Sequence, residues 1–334
     1  MKNICVYGLG AIGGLMAARL ARAGVSVNAV ARGATLTAVR KHGLELRHHS
    51  GGQSVVERYP IEAAQDPRDL GPQDLVIIAV KATGLEGVAR QIAPLLGPDT
   101  TVLSAMNGVP WWFFHGMAPH LGALHLNSVD PGGTVSRAIA PDRVVGCVTH
   151  LSATTPAAGV VQQVAGNRII VGEPSGGADT QRCRQVVDLL TRAEFDVETC
   201  PSIQREIWFK LWGNMTVNPL SALTGATGDR IVSDDYVRAF MSRCMVEAAA
   251  IGDRLGLPIE ADPETRHAVT RQLGAFRTSM LQDMEAGKPV ELDALVSVVV
   301  EMAHQLQVPV PQIETLLGLA RLKARVAGLY PDAP

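Results

Sequence analysis

The sequence predicts a doubly wound α/β sheet over residues 1–200, followed by an all-α domain over residues 201–334. Three observations predict it. A short apolar run, Ile4 to Tyr7, leads through Gly8, Gly10 and Gly13 into a helix-forming stretch, Ala11 to Ala23. Strand and helix patterns then alternate as far as Cys200. Beyond it the strand signal disappears, and only helical periodicity remains, broken by Pro219, Pro258, Pro263, Pro289, Pro309 and Pro311. A chain of 334 residues is also long for one core, since single cores stop growing near ~250 residues.

Composition narrows the function classes. A hydrophobic content of 47% supplies enough apolar mass for two sizeable cores. A net charge of −2 gives no support for nucleic-acid or membrane-surface binding. Cys5, Cys147, Cys183, Cys200 and Cys244 are scattered and never form C-x-x-C. That argues for a reducing compartment, without disulfides or a zinc site, and no His, Cys or acid spacing suggests any other metal. No signal peptide precedes the first strand, and no apolar run reaches the ~18–20 residues of a membrane span. The expected location is the cytoplasm.

The first element is the most informative. Ile4 to Tyr7 suits a strand buried on both faces. The turn Gly8-Leu9-Gly10-Ala11-Ile12-Gly13 spells G-x-G-x-x-G between that strand and a helix, the context in which the pattern binds a dinucleotide. Gly8 allows the tight bend, Gly10 lets backbone approach a pyrophosphate, and Gly13 lets helix pack on strand. The helix N-terminus then offers its N–H groups and positive dipole to phosphate. This is a Rossmann-type nucleotide domain. Val25 to Val30 is the second strand. A site for NAD has an acid about 20 residues beyond the glycines, yet none stands between Lys2 and Leu44. Arg32 follows the strand instead. It is either a solvated loop residue or the guanidinium that takes a 2′-phosphate, and the missing acid favours the second reading, NADP(H).

The following elements extend that sheet. Leu44–Arg47 and Val55–Arg58 read as a β-hairpin. Asp74 to Val80 is the clearest buried strand, and Lys81 just beyond it is placed either in solvent or at a cofactor phosphate or ribose. Leu85 to Leu95 reads as a helix and Thr100 to Ala105 as a strand that delivers Asn107-Gly108, turn chemistry or a polar reader near a nicotinamide. Trp111-Trp112-Phe113-Phe114 cannot all face one core if regular, which predicts core or subunit packing for most and a pocket wall for some. Val144–Thr149 and Arg168–Val171 are strands separated by a turn-rich stretch, Thr154 to Gly159. Thr180 to Phe195 is a helix and Asp196 to Thr199 the last strand.

In the C-terminal part, Ser202 caps a helix that runs to Asn218, with Pro219 at its end or at a kink. Lys210, Asn214 and Asn218 fall at i, i+4, i+8, drifting about 40° per step, so they form one polar line beside Ile203, Ile207, Leu211 and Met215. Such a trio is either a satisfied buried network or a site for a carbonyl substrate. A second helix spans Ala275 to Met284, and Val290 to Asp293 starts another, which brings Ser279 and Glu291 toward each other. Their simpler reading is a self-satisfied hydroxyl and a first-turn acid.

Taken in order, Gly8–Gly13, Lys81, Asn107-Gly108, Lys210…Asn214…Asn218-Pro219 and Ser279-Met280-Leu281-Gln282-Asp283 with Glu291 make the chain similar to the ketopantoate reductase family over nearly its whole length. The resemblance implies an N-terminal Rossmann domain, a C-terminal helical domain and NADPH-dependent reduction of 2-dehydropantoate to (R)-pantoate on the way to coenzyme A. It implies that Lys210 donates the proton to the carbonyl oxygen and that Asn214, Asn218 and Ser279 hold the substrate. Arg32, Lys81, Asn107 and Glu291 would be cofactor contacts. Family members are often homodimers, with the helical domain as the natural contact. Two departures bear on the substrate: Gly228 stands where the family often has a substrate-side Asn, and the Trp111–Phe114 cluster is not a general family feature. The alternatives are a related (R)-2-hydroxyacid dehydrogenase acting on another 2-oxo acid, with a bulkier substrate and linkage to NAD left open, and a non-catalytic NADPH sensor. Retention of the Lys–Asn–Asn–Ser–Glu set speaks against the sensor.

Overall fold

Every residue of the first strand, β1 (Ile4–Tyr7), is buried, because β2 (Val27–Val30) and β6 (Gln73–Ile78) flank it in parallel and the helix that follows packs on it. The computed structural model describes residues 1–122 and 124–332. These form two compact units, Met1–Gly122 with Gly133–Glu206, and Ala123–Gly132 with Ile207–Pro334.

In the first unit the remaining elements are α1 (Ala11–Arg22), α2 (Gly33–His42), β3 (Leu44–Ser50), β4 (Gln53–Tyr59), β5 (Glu62–Ala64), α3 (Leu85–Ala89), β7 (Leu96–Ser104), α4 (Pro119–Gly122), α5 (Thr134–Ala138), β8 (Val144–Ala157), β9 (Val160–Gly172), α6 (Gln181–Arg192) and β10 (Asp196–Thr199). The sheet order is β4-β3-β9-β8-β7-β6-β1-β2-β5, with β10 also on β9. The stretch β5-β2-β1-β6-β7-β8 is entirely parallel, as the alternating strands and helices predict. The hairpin expected at Leu44–Arg47 and Val55–Arg58 is β3–β4, paired from Leu44 with Tyr59 to Ser50 with Gln53.

Two expectations change. The stretch Thr154 to Gly159 is not a long turn but the tip of the β8–β9 hairpin: Thr154 to Ala157 end β8, and only Ala158 and Gly159 link the strands. Register irregularities after His150, Ser152 and Thr154 let small polar residues continue the ladder while bending it. The helix expected over Leu85–Leu95 is the five-residue α3 followed by a 3-10 turn, because Pro94 removes an N–H.

The bent hairpin matters because α1 is buried from Gly13 through Leu20 without interruption. A helix apolar on one stripe needs one partner; a helix buried all round needs several. On one side α1 packs against β1 and β2, and β3, β8 and β9 also contact it, with Val161 in ordinary contact at Gly14. One cation is carried inside. Arg19 is 5% exposed; its guanidinium donates to Ala193 O at 2.9 Å, to Asn167 Oδ1 and to Glu194 O. It also lies 4.1 Å from the centre of the Phe195 ring. Burial pulls its pKa down to about 10, which leaves it charged near neutrality.

The aromatic tetrapeptide is core throughout: Trp111, Trp112, Phe113 and Phe114 are all buried. Three successive turn bonds, from Phe113 to Pro110, His115 to Trp112 and Met117 to Phe114, wind the backbone so that all four rings can be enclosed. Trp111 Nε1 donates to Ile139 O at 3.1 Å, and the Trp112 ring rests on Gly146. No ring is left to line an open pocket wall.

The second unit is all-α, as predicted: α7 (Ile203–Thr224, its first turn counted with the first unit), α8 (Gly228–Ser233), α9 (Asp235–Leu255), α10 (Pro263–Gln272), α11 (Ser279–Glu285), α12 (Val298–Gln305, preceded by a π-turn over Asp293–Ser297) and α13 (Pro311–Val326). Ser202, Asp234, Asp262 and Thr278 cap helices here by accepting from Arg205, Val237, Glu264 and Leu281 N–H. Pro219 does not end α7, which continues to Thr224. One missing hydrogen bond is outweighed where Leu220 and Ser221 are buried by tertiary packing. The helix expected from Ala275 begins instead at Ser279, where Thr278 caps it.

His267 is fully buried. Ser242 Oγ donates to Arg238 O, so His267 Nε2 is the donor in the 2.9 Å contact with that hydroxyl. Its Nδ1 meets no partner among the described residues. Burial is the main cause of its lowered pKa; Glu264 opposes and Arg238, Arg271 and Arg266 reinforce the shift.

Two measurements check these contacts. Arg19→Ala leaves three acceptors without their donor, and urea unfolding should report a loss of about 3 kcal/mol. The unfolded chain binds a proton at its histidines near pH ~6.5, whereas folded His267 resists it. Stability should therefore fall as pH drops below that value, by at most about 1.4 kcal/mol per unit from this ring. His267→Asn should flatten that decline; an unchanged slope would assign it to other groups.

Candidate functional site

The glycine turn is built as its spacing demands. Gly8 has φ +100°, and a side chain there would meet Val80 Cγ1 at 2.7 Å. A Cβ at Gly13 would come within 2.9 Å of Ala79 Cβ and closer still to Gly8 O, so only glycine allows α1 to lie this near β1. Gly10 caps α1 and has nothing within 4 Å of its Cβ position. No side chain caps the helix and no acid stands in its first turn. Leu9, Ala11 and Ile12 frame this opening, Leu9 buried and the other two half-buried. The result is an unobstructed anion cradle that fits a dinucleotide pyrophosphate.

Arg32 follows β2 as the N-cap residue of α2 and is exposed. It borders an open groove of about 330 Å³ whose other walls are Gln65, Asp66, Arg68, Arg90, Gln91 and Pro94. Three guanidiniums face this groove, but two are engaged. Arg68 Nε lies 2.9 Å from Asp66 Oδ2, and Arg90 pairs with Glu86 one turn before it. Arg32 has no ion pair among the described residues. Tyr7 O–H donates to Gln91 Oε1 at 3.3 Å nearby; burial raises its pKa while the Arg32 charge acts against that rise. The walls from Gln65–Arg68 and Arg90–Pro94 escaped sequence reasoning, since nothing in those segments announces that they follow β5 and α3 to the same corner. Lys81 and Asn107 stand just beyond the carboxyl ends of β6 and β7, Lys81 exposed and Asn107 half-buried, followed by Gly108 at φ +80°. All these residues belong to the first unit.

The second group lies in the helical unit. Trp212 Nε1 donates to Met245 O at 2.8 Å, and Trp208 packs against Gly252, so this side of α7 is anchored to α9. Each tryptophan is about 160° around the helix from Lys210. Lys210, Asn214 and Asn218 therefore occupy the side away from α9, the first two half-buried and Asn218 buried. A small cavity lined by Ala222, Leu223, Met280, Met284, Val290 and Leu292 marks where α11 and residues 290–292 pack on the last turns of α7. Ser279, exposed, and Glu291, half-buried, each adjoin one of these lining residues, so the segments carrying them meet at the last turns of α7. Gly228 carries no side chain because the Phe276 ring fills the space: a Cβ there would lie 2.6 Å from Phe276 Cζ. The same holds at Gly213, where the Arg266 guanidinium lies across the helix backbone.

All five cysteines are buried and outside any disulfide, and burial pushes Cys5, Cys200 and Cys244 up to about 12 and Cys183 up to about 11. Among the described residues no three His, Cys, Asp or Glu side chains are grouped to hold a metal, and no helix is long and apolar enough to cross a membrane.

Comparison with known proteins meets this geometry. Residues 4–176 match the family described as ketopantoate reductase PanE/ApbA, and residues 202–324 match its C-terminal counterpart. A 2-dehydropantoate 2-reductase from Mesorhizobium japonicum is 42% identical over 329 residues, covering 98% of this chain and 99% of that protein. The crystal structure of a putative ketopantoate reductase from Ralstonia solanacearum is 51% identical with a TM-score of 0.93, covering 98% and 99%. A PanE/ApbA family ketopantoate reductase from Ralstonia eutropha is 25% identical with a TM-score of 0.82, covering 97% and 99%. With the glycine turn and the α7 polar line both in place, the chain belongs to the ketopantoate reductase family.

Proposed function

We propose that this protein is an NADPH-dependent 2-oxoacid reductase that converts 2-dehydropantoate to (R)-pantoate, on the way to coenzyme A. The observation that carries the reading is the polar line of Lys210, Asn214 and Asn218 on the side of α7 opposite its tryptophan anchors. A cation and two amides on one helix face offer a proton donor and amide donors and acceptors to a carbonyl substrate. The family match over both parts of the chain supports the same conclusion.

The nucleotide falls to residues 1–200 and the substrate to residues 201–334. The α1 N-terminus and the Gly8–Gly13 turn would hold the pyrophosphate, Arg32 the 2′-phosphate, and Lys81, Asn107 and Glu291 the ribose and adjoining groups. Arg32 suits its part because it alone of the three groove arginines is not engaged by an acid. When bound, the reduced nicotinamide supplies a hydride to the 2-oxo carbon. The chain's own part is to neutralise what that leaves: the Lys210 ammonium faces the developing alkoxide and gives it a proton. Asn214, Asn218 and Ser279 orient the carbonyl and hydroxyl groups of the substrate. Cytoplasmic location and a homodimer complete the proposal.

The direct test is loss of NADPH absorbance with ketopantoate, repeated with NADH and with branched and aromatic 2-oxo acids. Turnover confined to other 2-oxo acids would reassign the substrate. Lys210→Ala should lower kcat by about 10²–10⁴-fold with little change in NADPH affinity; near-full turnover would remove Lys210 from the mechanism. Arg32→Ser should raise KM for NADPH by roughly 10–100-fold and leave that for NADH nearly unchanged, the loss of a charge-assisted fork. Equal effects on both nucleotides would mean that Arg32 does not read the phosphate.

A further inference from the structure

Two glycines in the helical unit, Gly213 and Gly228, lie where a neighbouring side chain occupies the space of their missing Cβ. At Gly228 the neighbour is a phenyl ring. At Gly213 it is a charge. A Cβ at Gly213 would lie 2.8 Å from Arg266 Cζ and Nη2 and closer still to Nε. The guanidinium thus rests on the backbone of α7, a seat that only glycine provides. Glycine inside a helix is destabilising relative to alanine, so this approach opposes local propensity.

The position of that seat gives it meaning. Gly213 is about 60° from Lys210 around α7, on the flank opposite Asn214, and about 4.5 Å further along the axis. The guanidinium therefore borders the polar line beside the proton donor. Arg266 is only half-exposed, yet among the described residues no acid pairs with its guanidinium, and burial lowers its pKa. Other sheltered arginines are provided for. Arg182 is paired with Glu173, Arg238 with Asp235, and Arg19 is surrounded by carbonyl oxygens. A partly desolvated cation without a counter-ion is costly, and a planar fork is shaped for a carboxylate.

We infer that Arg266 is the carboxylate reader of the substrate site, its guanidinium seated on Gly213 to take the carboxylate of a 2-oxo acid while Lys210 faces the adjacent carbonyl oxygen. In a 2-oxo acid the two groups are on neighbouring carbons, so their readers must sit side by side, as residues seated three positions apart on one helix do. The inference rests on the 2-oxoacid reductase reading above and adds a specificity-determining residue to it.

The test compares ketopantoate with its methyl ester, which keeps the carbonyl and loses the charge, in wild type, Arg266→Gln, Arg266→Lys and Gly213→Ala. Wild type should prefer the acid. Arg266→Gln should raise KM for ketopantoate by roughly 30-fold, leave KM for NADPH and turnover of the ester unchanged, and so abolish the preference. Arg266→Lys should recover part of it. Gly213→Ala keeps the cation but displaces it, and should weaken acid binding without loss of melting temperature. A wild type that treats acid and ester alike, or an Arg266→Gln enzyme that keeps the preference, would overturn the role of Arg266 and leave the reductase reading intact. A wild type that reduces no 2-oxo acid would overturn both.

Discussion

The contact between Gly13 and Gly8 sets the terms for the nucleotide-binding unit. Because α1 lies directly on the turn that leaves β1, its N-terminal N–H groups open at the carboxyl edge of the sheet, where Gly10 leaves the approach clear. The same closeness buries α1 on every side, and that creates a demand the parallel sheet alone cannot meet. The bent β8–β9 hairpin and β3 meet it, and Arg19 ties the buried helix to Ala193 and Glu194 after α6. The strands added to the nucleotide fold are thus a consequence of how α1 is packed. They are not an independent decoration.

In the helical unit α7 plays the corresponding part by a different means. It is buried on most of its circumference, and two tryptophans fix its rotation against α9. Once that rotation is fixed, the direction of Lys210, Asn214 and Asn218 follows from the helical period alone. Large rings are well suited to this, because each fills a broad surface with few rotatable bonds. Pro219 would break a helix that relied on its own hydrogen bonds. Here tertiary burial of Leu220 and Ser221 carries the helix past it.

Much of this was legible in the sequence, and the reason is periodicity. The glycine turn, the Asp74–Val80 strand, the hairpin at Leu44–Arg58 and the Lys–Asn–Asn line each depend on local spacing, and each can be read without a tertiary structure. What was not legible depends on long-range contact. The turn signal at Thr154–Gly159 was overridden by pairing with β9, which no local pattern reports. The four aromatics could not be assigned to one core until the turns that splay them were known. The wall of the Arg32 groove comes from segments some 35 and 60 residues away in sequence, and their composition alone marks neither.

The glycines draw the line most sharply. At Gly8 and Gly13 the need for glycine is announced by a strand before and a helix after, so spacing alone reveals the close approach. Gly213 and Gly228 carry no such frame. In sequence they read as a cost to helix stability, and only the side chains of Arg266 and Phe276 resting on them turn that cost into a reason. A motif recognised through the backbone can be found by pattern. A subsite built by one helix's side chain on another helix's glycine becomes visible only when the fold brings them together, and there the particular substrate preference of a family member can change while its motifs stay the same.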